Sequence, residues 1–329
     1  MEPIYTNKHN VSIPLAVFLM FDNYDHDGRT NTISATSIIK PLRQLALRKL
    51  YPEVSKSIDI SGLVASRMGS AIHDGCEQAW TDSDNITKAF TALGLTKLIP
   101  RLQINPTKPL ENDEIGVYVE QRHEKPIGDY IITGKYDLVL DGRLVDYKST
   151  SVWGYIYDSN ALKYTQQGSI YRWLSPHIIK DDKMEIEYMF TDWSAAEALR
   201  KPTYPQLRVL SKNYPLWSES ETETYIRDKL AALDSILTQG ESGLPLCNSE
   251  ELWESETVYK YYKNPNNTKR ATKNFPTKTE ADARHSADGF VGSVVEVKGQ
   301  VKACRYCDVV GVCSQAKNLV ASGRLTLEQ

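Results

Sequence analysis

Apolar and polar residues follow two different periods along this chain, and the switches between them mark out its elements. From Ile60 to Trp80, Leu63, Ala65, Met68, Ala71, Ile72, Cys76 and Ala79 recur at helical spacing. Ser218–Gln239 predicts a long amphipathic helix with a buried stripe of Ile226, Leu230, Leu233 and Leu237. Its glutamate-rich first turn suits the positive end of the helix dipole. Val117–Arg122, Ile131–Leu140, Leu144–Lys148 and Met184–Phe190 read as strands, with a helix over Ala161–Leu174. The first fifty residues read as mostly helical. Ser34 or Thr36 is placed to cap a helix through Ile38, Leu42, Leu45 and Leu50, with Pro41 near its start. Gly240–Pro245 ends the long helix and marks a boundary, and no internal repeat or low-complexity tract is evident.

One stretch, Tyr136–Ser149, carries more chemistry than the rest. Asp141-Gly142 is a two-residue hairpin signal between apolar runs. With those residues as the loop, Leu140 faces Arg143, and counting outwards sets Asp137 opposite Asp146. Lys148, two residues past Asp146, emerges on the same face. Like charges directly opposed in a sheet are destabilising. A divalent cation between them, with the lysine alongside, is the simplest compensation and the layout of a phosphodiester-hydrolysis site. An Asp, a second Asp nine residues on and a Lys two beyond also occur by chance in many sequences, so the rest of the chain has to weigh in.

Composition narrows the classes. At 329 residues and 41% hydrophobic, the chain is long enough to bury a sizeable core. A net charge of -3 excludes a protein that coats nucleic acid by bulk charge, so phosphate contacts must come from local basic patches. No apolar run reaches the length of a membrane span. Ile13–Phe21, which starts Ile-Pro and runs into Asp22, Asp25 and Asp27, reads as a packed helix and not a secretory leader. The expectation is a cytoplasmic protein. Of five cysteines, Cys304-x2-Cys307-x5-Cys313 forms a tight cluster, with Cys247 and Cys76 upstream. Three close thiols in a reducing compartment suggest a metal that needs a fourth ligand. Val258–Phe275 interleaves Tyr259, Tyr261 and Tyr262 with Lys260, Lys263, Lys269, Arg270 and Lys273 around an Asn-Pro-Asn-Asn turn. Such a segment either grips a nucleic-acid strand by stacking and phosphate contact or is a solvated hairpin with its tyrosines packed on one face.

Four features then fall in a fixed order: Gly69-x3-His73-x3-Glu77, Asp137, Asp146-Tyr147-Lys148 and Gln167-x3-Tyr171. Over roughly residues 60–175 this order resembles the RecB-type branch of the PD-(D/E)XK nuclease superfamily. Asp146 stands where Glu is commoner. The opening MEPIYTNKHN, KPLRQLAL, SRMGSAIHDGCEQAW, TDWS with a later YP, LPLCNSEELW and the cysteine tail extend the likeness to bacteriophage-encoded RecB-like exonucleases.

The resemblance implies an α/β fold with a restriction-endonuclease-like core, a mixed sheet flanked by helices. An N-terminal helical segment (1–59), a nuclease core (60–243) and a small metal-stapled C-terminal region (244–329) are expected. Asp137, Asp146 and the Tyr147 carbonyl would hold Mg²⁺ or Mn²⁺, with His73 as an added or orienting ligand; imidazole suits Mn²⁺ better. Lys148 would position the attacking water and offset transition-state charge. Gln167 and Tyr171 would contact the DNA backbone; Lys269 and Arg270 are phosphate contacts only on the nucleic-acid reading of Val258–Phe275. The cysteine tail resembles one that completes an iron–sulfur cluster in several RecB-type nucleases. Those relatives take their first cysteine from upstream of the core. Here no cysteine precedes Cys76, and Cys247 is chosen as fourth ligand beside Cys304, Cys307 and Cys313. Four thiolates fit a [4Fe–4S] cluster or Zn²⁺.

The expected activity is metal-dependent exonucleolytic hydrolysis of linear DNA, in phage recombination, replication or DNA degradation, in a host cytoplasm and with phage recombination or replication proteins as partners. A structure-specific endonuclease and a non-cleaving nucleic-acid or partner-binding module are the rival readings. Plainer roles go to Glu77 as a helix-surface or outer residue, to Cys76 as a small buried residue, and to Glu120, which no motif recommends and which is read as structural. Packing is the plain alternative for Gln167 and Tyr171.

Overall fold

The computed structural model describes residues 4–22, 27–54, 57–264, 266 and 269–327, all but the side chains at 241 and 242. Met1–Pro3, Asp25, and residues 265 and 267 of the expected Asn-Pro-Asn-Asn turn lie outside the described residues. In chain order the elements run β1 (Ile4–Thr6), α1 (Ile13–Met20), β2 (Thr32–Ser34), α2 (Ala35–Ile38), α3 (Leu42–Leu50) and β3 (Ser57–Asp59). Then come α4 (Val64–Thr81), α5 (Ser83–Ala92), β4 (Leu102–Ile104), β5 (Ile115–Val119), β6 (Arg122–Ile127), β7 (Tyr130–Lys135), β8 (Leu138–Leu140) and β9 (Arg143–Thr150). α6 (Val152–Tyr157), α7 (Ala161–Leu174), β10 (Lys183–Phe190), α8 (Ala195–Arg200), β11 (Val209–Pro215) and α9 (Glu219–Gln239) follow. The last are β12 (Val258–Tyr262), β13 (Lys273–Phe275), α10 (Lys278–Ala287), β14 (Ser293–Val297) and α11 (Ser314–Ala321).

Two compact units result, one of Tyr5–Lys40 with Ser57–Ala231, the other containing Pro41–Lys56 and Ala232–Gln329. The first holds a six-stranded mixed sheet, ordered β11-β10-β9-β8-β5-β4. β9 runs parallel to β10 and antiparallel to β8. Helices cover both faces, as the α/β expectation required. Alternation sends Val145 and Tyr147 to the face covered by α4, where the Trp80 indole N–H donates to the Tyr147 hydroxyl at 3.1 Å. Leu144, Asp146 and Lys148 go to the other face, under α7. On β10 the same alternation buries Met184, Ile186, Tyr188 and Phe190.

Three departures from the periodic reading have local causes. The helix expected from Ser34 to Leu50 is two helices. Ser34 caps α2, its hydroxyl accepting from Ser37 N–H at 3.2 Å, and Pro41, which has no N–H to give, separates α2 from α3. The strand expected over Ile131–Leu140 is also two. β7 belongs to a separate sheet, β2-β7-β6, and β8 to the six-stranded one, with Tyr136 and Asp137 at the crossing. In α9, Ile236 and not Leu237 completes the buried stripe after Leu233. β7 lies tight under α7 because Gly134 has no side chain: a Cβ there would stand 2.7 Å from Leu174 Cδ1 and 2.8 Å from Tyr171 Cδ1.

The second unit has a three-stranded antiparallel sheet, β13-β12-β14, under α10, where Tyr261, Phe275 and Ala281 pack together. A second core gathers Leu47, Leu252, Val301, Val309, Leu319 and Leu325. Among the described residues, no helix is long and apolar enough to cross a membrane.

Candidate metal centre

The hairpin forms in the register its sequence predicts. Asp141 and Gly142 have φ of 52° and 83°, so both loop residues are left-handed, as a type I′ turn requires. Leu140 pairs with Arg143 and Leu138 with Val145, which carries Asp137 to the place opposite Asp146. Asp137 sits just before β8 and is pinned there: the Tyr147 N–H donates to its Oδ2 at 2.9 Å.

Around these two carboxylates the unit gathers charge. His73, from α4, places Nδ1 3.2 Å from Asp137 Oδ2. Lys148 forms an ion pair with Asp146 Oδ2, and Gln167 Nε2, from α7, donates to Asp146 Oδ1 at 3.3 Å. Both helices thus reach the hairpin, one at each carboxylate. Asp146 is almost fully buried, at 1% exposure, whereas His73 and Lys148 keep about a third and a quarter of their side chains in solvent. The two aspartates, the lysine and the histidine share one site with an open side.

Glu120 is the residue that motif reasoning left out. It follows β5, whose register pairs Val119 with Leu138, so the next pair across is Glu120 with Asp137. Its N–H donates to the Asp137 carbonyl oxygen at 3.0 Å. One ligand atom each from His73, Glu120 and Asp137 lies within 4.8 Å of the others, a spacing that can hold a metal ion. Glu120 takes a left-handed φ of 51°, unusual for a residue with a side chain, and its carboxylate pairs with Lys135 at 2.6 Å. That backbone strain is invisible in the sequence, and the β5–β8 pairing is long-range.

Burial and charge pull these groups apart in acidity. Burial pushes Asp146 up to about 6 from an ordinary 3.8, against the pull of Lys148. Burial also works on Asp137, but the His73 hydrogen bond and the Lys148 charge outweigh it, and its carboxyl is held below the usual range. The Asp137 hydrogen bond raises His73. Lys148 loses some hold on its proton to burial, more than recovered from Asp146 and Asp137, so it stays an ammonium at neutral pH. Burial raises Glu120. Three carboxylates thus face Lys135, Lys148 and a His73 held above its ordinary acidity range. Asp146 Oδ2 is buried against the Lys148 ammonium. An oxygen-rich donor set with one imidazole could hold a metal ion here.

No family model matches the sequence, and no curated protein matches it. Four chains of solved structures match, among them the following two. One is the crystal structure of SSO0001, at 17% identity and a TM-score of 0.38, covering 64% of this chain and 80% of that one. The other is a phage-related exonuclease from Haemophilus somnus 129PT, at 14% identity and a TM-score of 0.29, covering 63% of this chain and 94% of that one. The chemistry of the site rests on its own side chains.

Other expected residues fall in different places. Tyr171 is buried at 4% exposure, and its hydroxyl accepts from Gln167 Nε2 at 2.9 Å. The ring is thus packed in the core with its hydroxyl against Gln167. Glu77 is exposed, with its charge felt at Glu120. Cys76 is half-buried near Asp137 and Glu120, apart from the other cysteines. In the second unit, Tyr261 and Tyr262 are buried, and the Tyr261 hydroxyl donates to Asp288 Oδ2 at 3.0 Å. Those tyrosines belong to packing, the plainer of the two readings of that segment. Lys269 and Arg270 are exposed between β12 and β13.

Cys247, Cys304, Cys307 and Cys313 converge on one core cluster of the second unit. Burial pushes the Cys247 thiol up to about 12 and the Cys307 thiol up to about 11, and raises Cys304. The buried Arg43 donates from Nε to Cys313 Sγ at 3.2 Å. The four thiols and the guanidinium line one core, but among the described residues no three of the sulfurs lie within 4.8 Å of one another.

Proposed function

We propose that this protein is a metal-dependent DNA exonuclease of the RecB-like branch of the PD-(D/E)XK superfamily. The observation that carries the reading is the convergence of Asp137, Asp146 and Lys148 from one hairpin, with His73 and Glu120 brought to Asp137 from separate elements. Asp137 and Asp146, with His73 and Glu120 beside Asp137, would hold Mg²⁺ or Mn²⁺. The Tyr147 carbonyl remains part of the proposed ligand set. A cation bound there supplies Lewis acidity toward a phosphoryl oxygen and lowers the pKa of its water.

The chain's own residues supply the rest. Lys148, kept protonated by Asp146 and Asp137, is suited to orient a water and offset charge on the phosphoryl oxygens, and not to serve as a base. Gln167 fixes the Asp146 carboxylate in one orientation, and Tyr171 fixes Gln167. Lys269 and Arg270 are proposed as phosphate contacts. The cysteine set is read as a structural [4Fe–4S] cluster, with Zn²⁺ as the alternative. The activity would serve DNA recombination, replication or degradation in a host cytoplasm.

The test is an end-labelled linear DNA assay with Mn²⁺ or Mg²⁺, on single and double strands. Linear DNA is degraded and closed circles are spared, and Asp146→Asn and Lys148→Ala each lose hydrolysis by about 10²-fold or more with the fold retained. Wild-type rates in both variants overturn the site; cutting of closed circles overturns the exonuclease assignment.

A further inference from the structure

α6 begins four residues after Lys148, and it presents two large aromatic side chains to solvent. Trp153 is 49% exposed and Tyr157 72%, and their rings lie stacked, with centroids 5.8 Å apart and planes 23° from parallel. A six-residue helix has no stability of its own. This one is clamped at both ends and underneath. The Val152 N–H donates to Asp192 Oδ1 at 2.7 Å, and Val152 itself is fully buried. At the other end Asp158 takes a left-handed φ of 49°, accepts from the Tyr214 hydroxyl at 2.6 Å and pairs with Lys212 at 2.5 Å. Beneath, Tyr155 packs edge-on against Tyr188 and Phe190, at 5.2 and 5.5 Å. Tyr188 is the register partner of Lys148 on the neighbouring strand. The helix is therefore fixed to the same sheet face as the Asp146–Lys148 pair, its first residue no more than about 13 Å from Lys148 at roughly 3.3 Å per residue.

Its inward residue, Tyr155, already fills the packing role. Trp153 and Tyr157, one turn apart on the outward side, contribute little burial where they stand. A rigid, pre-stacked aromatic pair costs little entropy to use, and its π-faces suit planar, apolar partners with no preference for sequence.

We propose that Trp153 and Tyr157 form a stacking platform for the bases of a single-stranded DNA end bound at the metal centre. The inference rests on the nuclease reading and adds to it the form of the substrate. Bases paired inside a duplex have no free face to offer this pair, whereas an unpaired strand does. Preference for single-stranded or frayed ends follows.

The experiment measures binding with divalent cation omitted, so that hydrolysis plays no part. Fluorescent oligo(dT) and an abasic strand of equal length are titrated against the wild-type protein, Trp153→Ala, Tyr157→Ala and Trp153→Phe. Trp153→Ala is expected to weaken oligo(dT) binding about 5- to 100-fold, with Trp153→Phe much closer to wild type. The abasic strand, which keeps its phosphates, should bind wild type and Trp153→Ala equally. Equal loss for both strands overturns the platform, since it reports phosphate contact or a damaged fold. So does unchanged oligo(dT) affinity, or a shift in oligomeric state that accounts for the change. Tighter binding of oligo(rU) than oligo(dT) overturns the DNA assignment. Asp146→Asn separates the two readings: an inactive Asp146→Asn with an unaffected Trp153→Ala removes the platform alone, and an active Asp146→Asn with impaired Trp153→Ala removes the nuclease alone.

Discussion

Glu120 stands across from Asp137, its N–H on the Asp137 carbonyl oxygen and its carboxylate within reach of the same cation. Asp146 occupies the equivalent place on the other side, by the register of β8 with β9. Three acidic side chains thus fall in a row over three neighbouring strands, where cross-strand pairs of like charge are unfavourable. Lys135 and Lys148 answer two of them. Glu120→Gln keeps the shape and removes one charge, and should weaken Mn²⁺ binding about 10-fold or more in a calorimetric titration, with the melting curve of the metal-free protein unchanged or raised. Wild-type Mn²⁺ affinity in this variant would place Glu120 outside the ligand set.

Asp146 sets a conflict between stability and function. Its carboxyl is pushed up to about 6 in the folded protein, above the 3.8 of an ordinary aspartate. The folded state therefore holds this proton more tightly than the unfolded one, and stability is lost as pH rises from about 4 to about 6. The loss at neutral pH is on the order of 2–3 kcal/mol. Asp146→Asn escapes it, offset in part by an amide facing Lys148, and should raise the Tm of the metal-free protein by a few degrees. Cation binding must expel the same proton, and the raised His73 works in the same direction. Mn²⁺ affinity is expected to fall about tenfold per pH unit below 6 for each proton displaced. A titration series from pH 5 to 8 that shows flat affinity contradicts the assignment.

What the sequence disclosed, and what it hid, divides by range. The Asp141-Gly142 loop fixed a local register, and from it the Asp137–Asp146 opposition and the Lys148 side could be counted without knowing the fold. His73 was found by its place before the hairpin, on a helix whose period was plain. Glu120 was not legible, because its relation to Asp137 depends on β5 meeting β8 across some twenty residues of β6 and β7 in another sheet. Its left-handed backbone leaves no mark on residue type either. For Tyr171, helical spacing puts it one turn from Gln167, but only the packing of α7 on Gly134 shows that its ring is buried. The split of Ile131–Leu140 between two sheets falls at Lys135–Asp137, where polar residues interrupt the apolar run that was read through as one strand.

Gln167 touches a carboxylate, not solvent-borne substrate, so its removal should act on turnover. Gln167→Ala leaves Asp146 Oδ1 without its amide partner and is expected to lower kcat about 10- to 100-fold while KM for DNA stays within a few-fold. Tyr171→Phe keeps the ring that packs against Tyr136 and removes only the hydroxyl that Gln167 reaches, so it should shift kcat the same way by less. A change confined to KM in both variants would restore the DNA-contact role expected from the motif.

The cysteines of the second unit carry the last expectation. Burial raises the Cys247, Cys304 and Cys307 thiols, so four bare thiolates in that core are unfavourable, and a metal that binds there must displace protons to do so. The Arg43 charge pulls the Cys247 thiol the other way, but less than burial does. Because the same residues line the core that holds Leu252, Val301 and Leu319, a metal bound there would be coupled to the folding of this unit. Cys247→Ser should strip the metal and lower the melting temperature of this unit by roughly 10 °C or more, as acid does to the wild type. Cys76→Ser, in the other unit, should change neither. Visible absorption with iron in the preparation identifies a cluster, and a colourless protein with one zinc per chain identifies the alternative. A Cys247→Ser protein that keeps its full metal content, or a Cys76→Ser protein that loses it, would show that the fourth ligand lies elsewhere.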